Sequence, residues 1–308
     1  MKKYAIGVDI GGSHISCAAV DIANGSIISE SHKNVEVNNK ASANDILDKW
    51  AGALSETADI VGIDNIEGIG FGMPGPFEYD TGIARFELVE KYYNLDGVNV
   101  SKELISRLGM NIPLRFMNDA SAFAVGEAWL GSSSNVNHSV SITLGTGFGS
   151  AFISEGVPVV EGDNIPALGC IWHIPYKEGI ADDYFSTRWF IKRFKEETDI
   201  IADGVKTIAS EALKNDDAKL LFVEYGRNMG EFLSPWLIKF DTNVLVIGGK
   251  ISSAYHLFGP YFEISLKKNR VSTEIRLSKL KEEAAIIGSA RMIDEDYWVK
   301  IKNVLKKM

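Results

Sequence analysis

The sequence predicts a mixed α/β protein built from two lobes. Apolar strands alternate with segments of helical periodicity, which is typical of α/β architectures with a mixed sheet. A pattern of strand, glycine-rich turn and strand occurs twice, around residues 11–13 and again around residues 145–149. The length of 308 residues corresponds to about two domains of roughly 150 residues each. The repeat favours an internally duplicated fold with a ligand between the halves, although ordinary β-hairpins also use glycine.

The first half of the chain opens on a predicted β-hairpin, because two apolar runs flank a glycine turn. A helix follows where apolar residues recur at helical spacing behind polar residues suited to capping. A buried strand then runs into Met73-Pro74-Gly75-Pro76. The predicted elements are strands at 4–9, 15–21, 27–31 and 66–72 and a helix at 43–60, with Ser42 and Asn44 as candidate caps.

The second half begins near Arg115 and continues the alternation of strands and helices. Bulky apolar residues at helical spacing between positions 183 and 237 predict helices that face a core. These predicted core residues are Phe185, Trp189, Phe190, Phe194, Leu213, Leu220, Phe222, Tyr225 and Met229. The predicted elements are helices at 120–130, within 183–237, at 282–291 and at 296–307, and strands at 139–144, 150–153 and 243–247.

Composition excludes several classes of function. The formal net charge is −9, which argues against a nucleic-acid-binding surface or a polybasic membrane patch, since both gather Lys and Arg. The first apolar run is cut by Asp9, and no later run approaches the length of a membrane span. Only Cys17 and Cys170 occur, so no disulfide framework or cysteine-rich zinc site is expected. We therefore expect a cytoplasmic protein that acts on small molecules.

Three glycine turns, each directly after an apolar strand, predict a nucleotide site. Neither a Walker P-loop nor a GxGxxG dinucleotide fingerprint is present. Glycine lets the backbone approach a ligand, and consecutive amides in a tight turn bind anions. With Asp9 at the head of the first turn, the pattern indicates a nucleoside triphosphate, with its Mg²⁺ held by Asp9 directly or through water. The candidate ATP-binding residues are Asp9, Gly11, Gly12, Ser13, Gly145, Thr146, Gly147, Gly248 and Gly249.

These motifs resemble those of the ROK family (repressors, open reading frames, kinases) in the actin-like ATPase and sugar kinase superfamily. The resemblance extends along almost the whole chain. It implies a two-lobed actin-like ATPase (ribonuclease H-like) fold with a cleft between the lobes. The matching segments are Ile6–Ser13 (phosphate 1), Gly70–Pro76 (substrate-proximal), Asn118-Asp119-Ala120 (catalytic pair), Thr143–Gly147 (phosphate 2), Val246–Gly249 (adenosine) and Glu283–Gly288 (closing helix).

The resemblance also implies roles at the sugar. Asp119 is the expected general base that accepts the proton of a sugar hydroxyl, while Asn118 hydrogen-bonds neighbouring hydroxyls. Pro74 and Gly75 lie in the substrate-proximal segment. Asn and Asp are also favoured helix N-caps, and the capping role can coexist with the catalytic one.

The sugar pocket departs from the family pattern near His173. Trp172-His173-Ile174-Pro175 resembles a step whose His helps to hold the sugar, although a lone His is more often a structural residue. Cys170 stands three residues earlier, where the family usually has a glutamate. If the alignment is shifted so that Cys170 takes the place of the histidine, Ala167 stands at the glutamate position. The family's zinc-binding cysteine run is absent, so no zinc site is predicted. Asp182 is the candidate for a second sugar-binding carboxylate, with helix capping by Asp182 and Asp183 as the alternative.

The resulting prediction is an ATP- and Mg²⁺-dependent kinase that phosphorylates a hexose or N-acetylated hexosamine, at the 6-hydroxyl. The alternatives are a sugar-responsive ROK-type transcriptional regulator and a catalytically weak sugar sensor. The regulators carry a helix-turn-helix domain before phosphate 1, for which the first strand leaves no room. The lobes are expected at 1–117 plus 296–308 (small) and at 118–295 (large). The resemblance implies a homo-oligomer, commonly a dimer.

Overall fold

The computed structural model describes residues 3–87, 89 and 91–308. The chain forms two compact units. Unit 1 comprises the described residues of Met1–Ser134, Gly156–Pro158 and Glu282–Met308, and unit 2 comprises Asn135–Glu155 and Val159–Lys281.

The described residues form fourteen strands and ten α-helices. The strands are β1 Tyr4–Ile10, β2 His14–Asp21, β3 Lys33–Glu36, β4 Ile66–Met73, β5 Phe77–Glu78, β6 Ile83–Ala84, β7 Leu114–Asn118, β8 His138–Leu144, β9 Phe148–Ser154, β10 Val157–Val159, β11 Pro175–Tyr176, β12 Gly179–Ile180, β13 Val244–Gly248 and β14 Glu274–Leu277. The helices are α1 Ala43–Val61, α2 Val100–Leu108, α3 Asp119–Trp129, α4 Ala181–Phe185, α5 Thr187–Thr198, α6 Val205–Glu211, α7 Asp216–Lys239, α8 Tyr255–Lys268, α9 Glu283–Arg291 and α10 Glu295–Leu305.

The sheet of unit 1 has the strand order β3-β2-β1-β4-β7. The predicted hairpin is confirmed, since β1 pairs antiparallel with β2 along its whole length. β1 also pairs parallel with β4, and β4 pairs parallel with β7. In unit 2, β8 pairs antiparallel with β9 and parallel with β13, which pairs parallel with β14. In both sheets an antiparallel hairpin is extended on one side by two parallel strands. The repeated strand-turn-strand pattern in the sequence predicts such a duplication.

The third predicted strand, at 27–31, is wrong. Only Ile27 forms an isolated bridge, to Val20, and Ser29–Ser31 is a 3₁₀ turn. The Ser31 hydroxyl accepts a hydrogen bond from the Ala19 amide at 2.8 Å and donates to the Ile28 carbonyl at 2.6 Å. This side chain therefore takes the place of strand pairing, and the sheet continues only at β3.

Unit 1 includes more of the chain than the sequence analysis expected for the small lobe. The expected boundaries were 117 and 296, whereas unit 1 extends to Ser134 and resumes at Glu282. Helices α3 and α9 pack closely within unit 1, which brings both into it. A β-carbon added to Gly288 of α9 would lie 1.9 Å from the Ala122 carbonyl oxygen of α3. Glycine at this crossing therefore lets the two helix backbones meet.

The core of unit 2 is rich in aromatic side chains from α4, α5 and α7. Phe190, for example, packs against Phe222 and Tyr225 at ring-centroid distances of 4.8 and 4.6 Å. The aromatic residues predicted for the core are buried here, but Leu213 and Leu220 are exposed. Leu213 follows the end of α6, and Leu220 lies on the outer face of α7, so neither belongs to the inward stripe.

No helix among the residues that the structure describes is long and apolar enough to cross a membrane.

Candidate active site

The sheet of unit 1 brings three of the predicted motifs to one edge. Strands β1, β4 and β7 run parallel, so their carboxyl ends meet at the same side. In register, Asp9 of β1 faces Gly72 of β4, and Met73 of β4 faces Asn118 of β7. Ligands of open α/β sheets bind outside the carboxyl ends of the strands. The phosphate 1, substrate-proximal and catalytic-pair segments therefore share one site-forming edge.

Asn118 is the N-cap of α3. Its side-chain oxygen accepts hydrogen bonds from the amides of Ala120 and Ser121, at 3.1 and 3.3 Å. Its side-chain amide donates to the Tyr79 hydroxyl at 3.4 Å. The capping interpretation of this residue is confirmed, and it fixes the start of the helix beside Asp119.

Asp119 is the first residue of α3, and its carboxylate accepts a hydrogen bond from the Ala120 amide at 2.8 Å. Burial raises the pKa of this carboxyl above its ordinary value, against the opposing effects of that amide and of the Lys91 charge. A carboxylate with a raised pKa is a stronger base and takes a proton more readily. The position and the electrostatics thus suit a general base.

Asp9 lies near the end of β1, half-buried. Its carboxylate has no hydrogen-bond or ion-pair partner among the described residues. Burial, together with the charges of Asp119 and Glu282, raises the pKa of Asp9 to about 7. A carboxylate left without a donor near two other acids is a place that a cation would stabilise.

The turn of residues 11–13 is held by its carbonyl groups. The Tyr92 hydroxyl donates to the Gly11 carbonyl at 2.7 Å, and the Asn39 side-chain amide donates to the Gly12 carbonyl. The Ser13 carbonyl accepts from the Val37 amide at 2.8 Å. The amides of Gly12 and Ser13 form no hydrogen bond within the described part of the chain. They are therefore available to an anion.

A cavity of about 340 Å³ opens in unit 1 beside this turn and the substrate-proximal segment. Aromatic and aliphatic side chains form most of its wall, and one cation is present. The lining residues are Pro74, Gly75, Phe86, Val89, Lys91 and Tyr92. Two of the predicted substrate-binding residues, Pro74 and Gly75, therefore border a space of ligand size.

In unit 2, the turn of residues 145–147 is held by the start of α5. The amide and the hydroxyl of Thr187 both donate to the Gly145 carbonyl, at 2.8 and 2.9 Å. The Arg188 guanidinium donates to the Thr146 carbonyl at 3.0 Å. As in unit 1, the carbonyls are engaged by neighbouring segments, which fixes the turn.

Asp182 completes this arrangement. Its carboxylate accepts a hydrogen bond from the Phe148 amide at 2.7 Å and forms an ion pair with Arg188. The neighbouring Asp183 has a different role, because its carboxylate accepts from the Ile180 amide at 3.0 Å at the start of α4. The structure thus places the capping function on Asp183, and places Asp182 at the glycine turn.

Gly249 follows β13 with φ of +80°, a conformation that favours glycine. A β-carbon there would lie 2.4 Å from the carbonyl oxygen of Leu144, the residue before the turn at 145. The segments of Gly248-Gly249 and Gly145 are therefore adjacent. Beyond Gly249, a cavity of about 230 Å³ is lined by Val205, Lys206, Ala209, Ser210, Leu213, Lys250, Ser253, Ala254 and His256.

His173 lies in unit 2, half-buried, in the segment before α4. Its Nδ1 is 3.8 Å from the Cys170 Sγ, and its ring packs on Trp172 at a centroid distance of 5.4 Å. Burial raises the pKa of Cys170 to about 11, so the thiol stays neutral near pH 7. This half of the predicted sugar site therefore offers a thiol and an imidazole.

Among the described residues, no three His, Cys, Asp or Glu side chains lie together in a way that could hold a metal ion.

Sequence reasoning missed the residues that hold or flank the two glycine turns. Asn39, Lys91 and Tyr92 belong to no motif and lie far in sequence from the turn that they contact. Thr187 and Arg188 stand at the start of a helix whose inward aromatic residues dominate the pattern. The one signal that sequence offers is general, because the carbonyl groups of a fixed turn need hydrogen-bond donors from elsewhere in the chain.

The comparisons with known proteins agree with this geometry. The ROK family model matches residues 5–296. The chain is 29% identical to a glucokinase of Thermotoga maritima over 96% of this chain and 98% of that protein. It is 23% identical to a xylose repressor of Caldicellulosiruptor bescii over 94% of this chain and 78% of the repressor.

Among solved structures, that of a ROK family glucokinase from Streptomyces griseus, in complex with glucose and AMPPNP, matches with a TM-score of 0.75. The identity is 24%, over 94% of this chain and 98% of that one. The likeness confirms the predicted actin-like ATPase fold. Since the family model covers nearly the whole length, including every glycine turn described above, the chain belongs to the ROK family.

Proposed function

We propose that the protein is a sugar kinase that transfers the γ-phosphoryl group of ATP to a hexose hydroxyl, with Asp119 as the general base. The observation that carries the proposal is the position of Asp119. It begins a helix at the carboxyl edge of the sheet, its pKa is raised by burial, and Asp9 and an anion-binding turn belong to the same edge. Family membership supports the same reaction.

The reaction assigns one role to each group of residues. The Asp119 carboxylate takes the proton of the sugar hydroxyl as the hydroxyl oxygen forms a bond to the γ-phosphorus. The bond between that phosphorus and the bridging oxygen of ATP breaks, and ADP leaves with the electron pair. Mg²⁺, when bound through Asp9, would neutralise charge on the nucleotide phosphates. The rest of the catalysis is positioning by the fold.

The glycine turns are proposed to bind the nucleotide. The unpaired amides of Gly12 and Ser13 serve one phosphate region, and the turn of residues 145–147 serves another. The cavity beyond Gly249 is proposed to take the adenosine, because its wall combines aliphatic side chains with Lys206 and Lys250. Gly248 and Gly249 let the backbone approach this ligand closely.

The residues proposed to contact the sugar are Asn118, Pro74, Gly75, His173 and Asp182. Asp182 already accepts the Phe148 amide, so only part of its hydrogen-bonding capacity is available to a hydroxyl. The neutral Cys170 beside His173 replaces a charged acceptor with a weak one. A charged hydrogen bond contributes about 1.5–3 kcal/mol, so we expect a sugar preference that differs from that of glucokinases.

A sugar panel tests the proposal. ADP release is followed with ATP, Mg²⁺ and glucose, mannose, fructose, N-acetylglucosamine or N-acetylmannosamine, and the product is mapped by ³¹P NMR. We expect phosphorylation of at least one of them at the 6-hydroxyl. Absence of turnover on all of them would contradict the proposal. A protein that binds a sugar but neither binds a nucleotide nor turns over would then be a sensor. A protein that binds a specific DNA operator in a salt-sensitive manner would be a regulator.

A further inference from the structure

Lys91 lies against the glycine turn of unit 1. A β-carbon added to Gly12 would lie 2.8 Å from the Lys91 Nζ and 3.0 Å from its Cε. Glycine therefore leaves the space that the ammonium group occupies beside the amides of Gly12 and Ser13. A cation and two unpaired amides thus converge on one short turn.

The same ammonium acts on the proposed general base. Among the charges near Asp119, Lys91 is the one that opposes the effect of burial. Its side chain is exposed, and within the described part of the chain it forms no hydrogen bond or ion pair of its own. A lysine in this position keeps its donors for a ligand.

The backbone at Lys91 is tied to the turn through its neighbour. Tyr92 is buried, its hydroxyl donates to the Gly11 carbonyl at 2.7 Å, and its amide donates to the Asn39 carbonyl at 3.1 Å. Asn39 in turn donates to the Gly12 carbonyl. The Tyr92 ring also packs on Trp50 at a centroid distance of 5.5 Å. These contacts hold the base of the lysine side chain while its end stays free to adjust.

We propose that the Lys91 ammonium binds the γ-phosphoryl group of ATP, beside the amides of Gly12 and Ser13. The inference rests on the proposed function, because it assigns the anion to the nucleotide of that reaction. The Lys91 ammonium donates hydrogen bonds to the non-bridging oxygens of the group that is transferred. Its charge offsets the repulsion between this group and the Asp119 carboxylate.

Calorimetric binding of AMPPNP and of ADP, each with Mg²⁺, tests the inference on Lys91→Met. We expect the affinity for AMPPNP to fall about 10–100-fold, as the loss of one charged hydrogen bond predicts. The affinity for ADP, which lacks the γ-phosphoryl group, is expected to change less than about 3-fold. Lys91→Arg keeps the charge and is expected to restore most of the AMPPNP affinity. Lys102→Met, at an exposed lysine of α2, is the matched control and is expected to behave like the wild type.

Each other outcome overturns a stated part. Equal loss of AMPPNP and ADP affinity would mean that Lys91 supports the turn and does not bind the γ-phosphoryl group. Loss of sugar affinity with unchanged nucleotide binding would place Lys91 at the sugar, against the inference. If the wild type phosphorylates a sugar and Lys91→Met binds AMPPNP as the wild type does, the inference is wrong and the proposed function stands. A wild type that binds no nucleotide would contradict both.

Discussion

The carboxylate of Asp182 accepts a hydrogen bond from the Phe148 amide at 2.7 Å, so the first residue of β9 is tied to helix α4. The same carboxylate pairs with Arg188, which also donates to the Thr146 carbonyl. One acidic side chain therefore links both sides of the turn of residues 145–147. Its position makes it a determinant of the shape of that turn, whatever further contact it makes with a sugar.

Substitution of Asp182 by Ala should destabilise the protein and weaken nucleotide binding together. Removal of the carboxylate leaves the Phe148 amide without its acceptor, which costs about 1–3 kcal/mol of unfolding free energy. The turn then loses its fixed geometry, and the affinity for ATP should fall. Urea unfolding and calorimetry measure the two effects.

Asp183→Ala is the matched control for Asp182, since it removes only the hydrogen bond to the Ile180 amide at the start of α4. We expect a loss of about 1 kcal/mol and unchanged nucleotide affinity. If Asp182→Ala left stability and nucleotide affinity intact and lowered only sugar affinity, the role in the turn would be refuted.

The stability of the ligand-free protein should fall as pH rises, through Asp9. Its pKa is about 7 in the folded protein against an ordinary value of 3.8. Between these values the unfolded chain has released the proton that the folded protein keeps, so folding is penalised increasingly up to about pH 7. Asp9→Asn removes the penalty and should be more stable than the wild type by up to about 4 kcal/mol at pH 8, with little difference at pH 4.

The measurement for Asp9 is thermal or urea unfolding at both pH values in magnesium-free buffer. Asp64→Asn, at an exposed position in unit 1, should show the same small difference at both pH values. A stabilisation by Asp9→Asn that is equal at pH 4 and pH 8 would argue against a raised pKa.

Tyr92→Phe should loosen the turn of residues 11–13. The variant keeps the buried ring but removes the hydroxyl that donates to the Gly11 carbonyl at 2.7 Å. We expect a loss of about 1–2 kcal/mol of unfolding free energy and a higher KM for ATP. Unfolding curves and steady-state kinetics with the sugar that the wild type phosphorylates measure both effects. An unchanged KM for ATP would mean that the Tyr92 hydroxyl does not affect nucleotide binding by the turn.

Gly288→Ala should destabilise unit 1, because the new methyl group would lie 1.9 Å from the Ala122 carbonyl oxygen. Backbone must move to relieve this overlap, at a cost of about 1–3 kcal/mol or more. Gly52→Ala in α1 is the matched control, since nothing lies within 4 Å of its added β-carbon. The control should be stabilised by about 1 kcal/mol. Equal effects in denaturant unfolding would contradict the close approach of α3 and α9.

The elements that sequence predicted best are those whose pattern is local. The β1–β2 hairpin, helix α1 with Ser42 as its cap, and α3 behind Asn118 follow from alternation, periodicity and capping chemistry. Helix α8 was not predicted, since Gly259 and Pro260 interrupt its pattern while Phe258 and Phe262 pack it into the core of unit 2. Packing overrides local propensity in such a helix.

The candidate site divides in the same way. Motif residues such as Asp9, Asn118 and Asp119 were predicted as site candidates, because they stand at recognisable strand ends and helix starts. The side chains that hold the turns were not, because Tyr92 reaches Gly11 across 81 positions and carries no spacing signal. Such long-range donors are fixed by tertiary structure alone. The interpretation of Asp182 depended on this too, since its contact with Phe148 spans 34 positions.

The most direct test of the central claim is the turnover number of Asp119→Asn on the sugar that the wild type phosphorylates best. Asparagine keeps the shape and the acceptor for the Ala120 amide but cannot take a proton. We predict a loss of about 10²–10⁴-fold in kcat with nearly unchanged sugar and nucleotide affinities, while Asp64→Asn stays at the wild-type rate. An Asp119→Asn variant that turns over within a few-fold of the wild type would contradict the account.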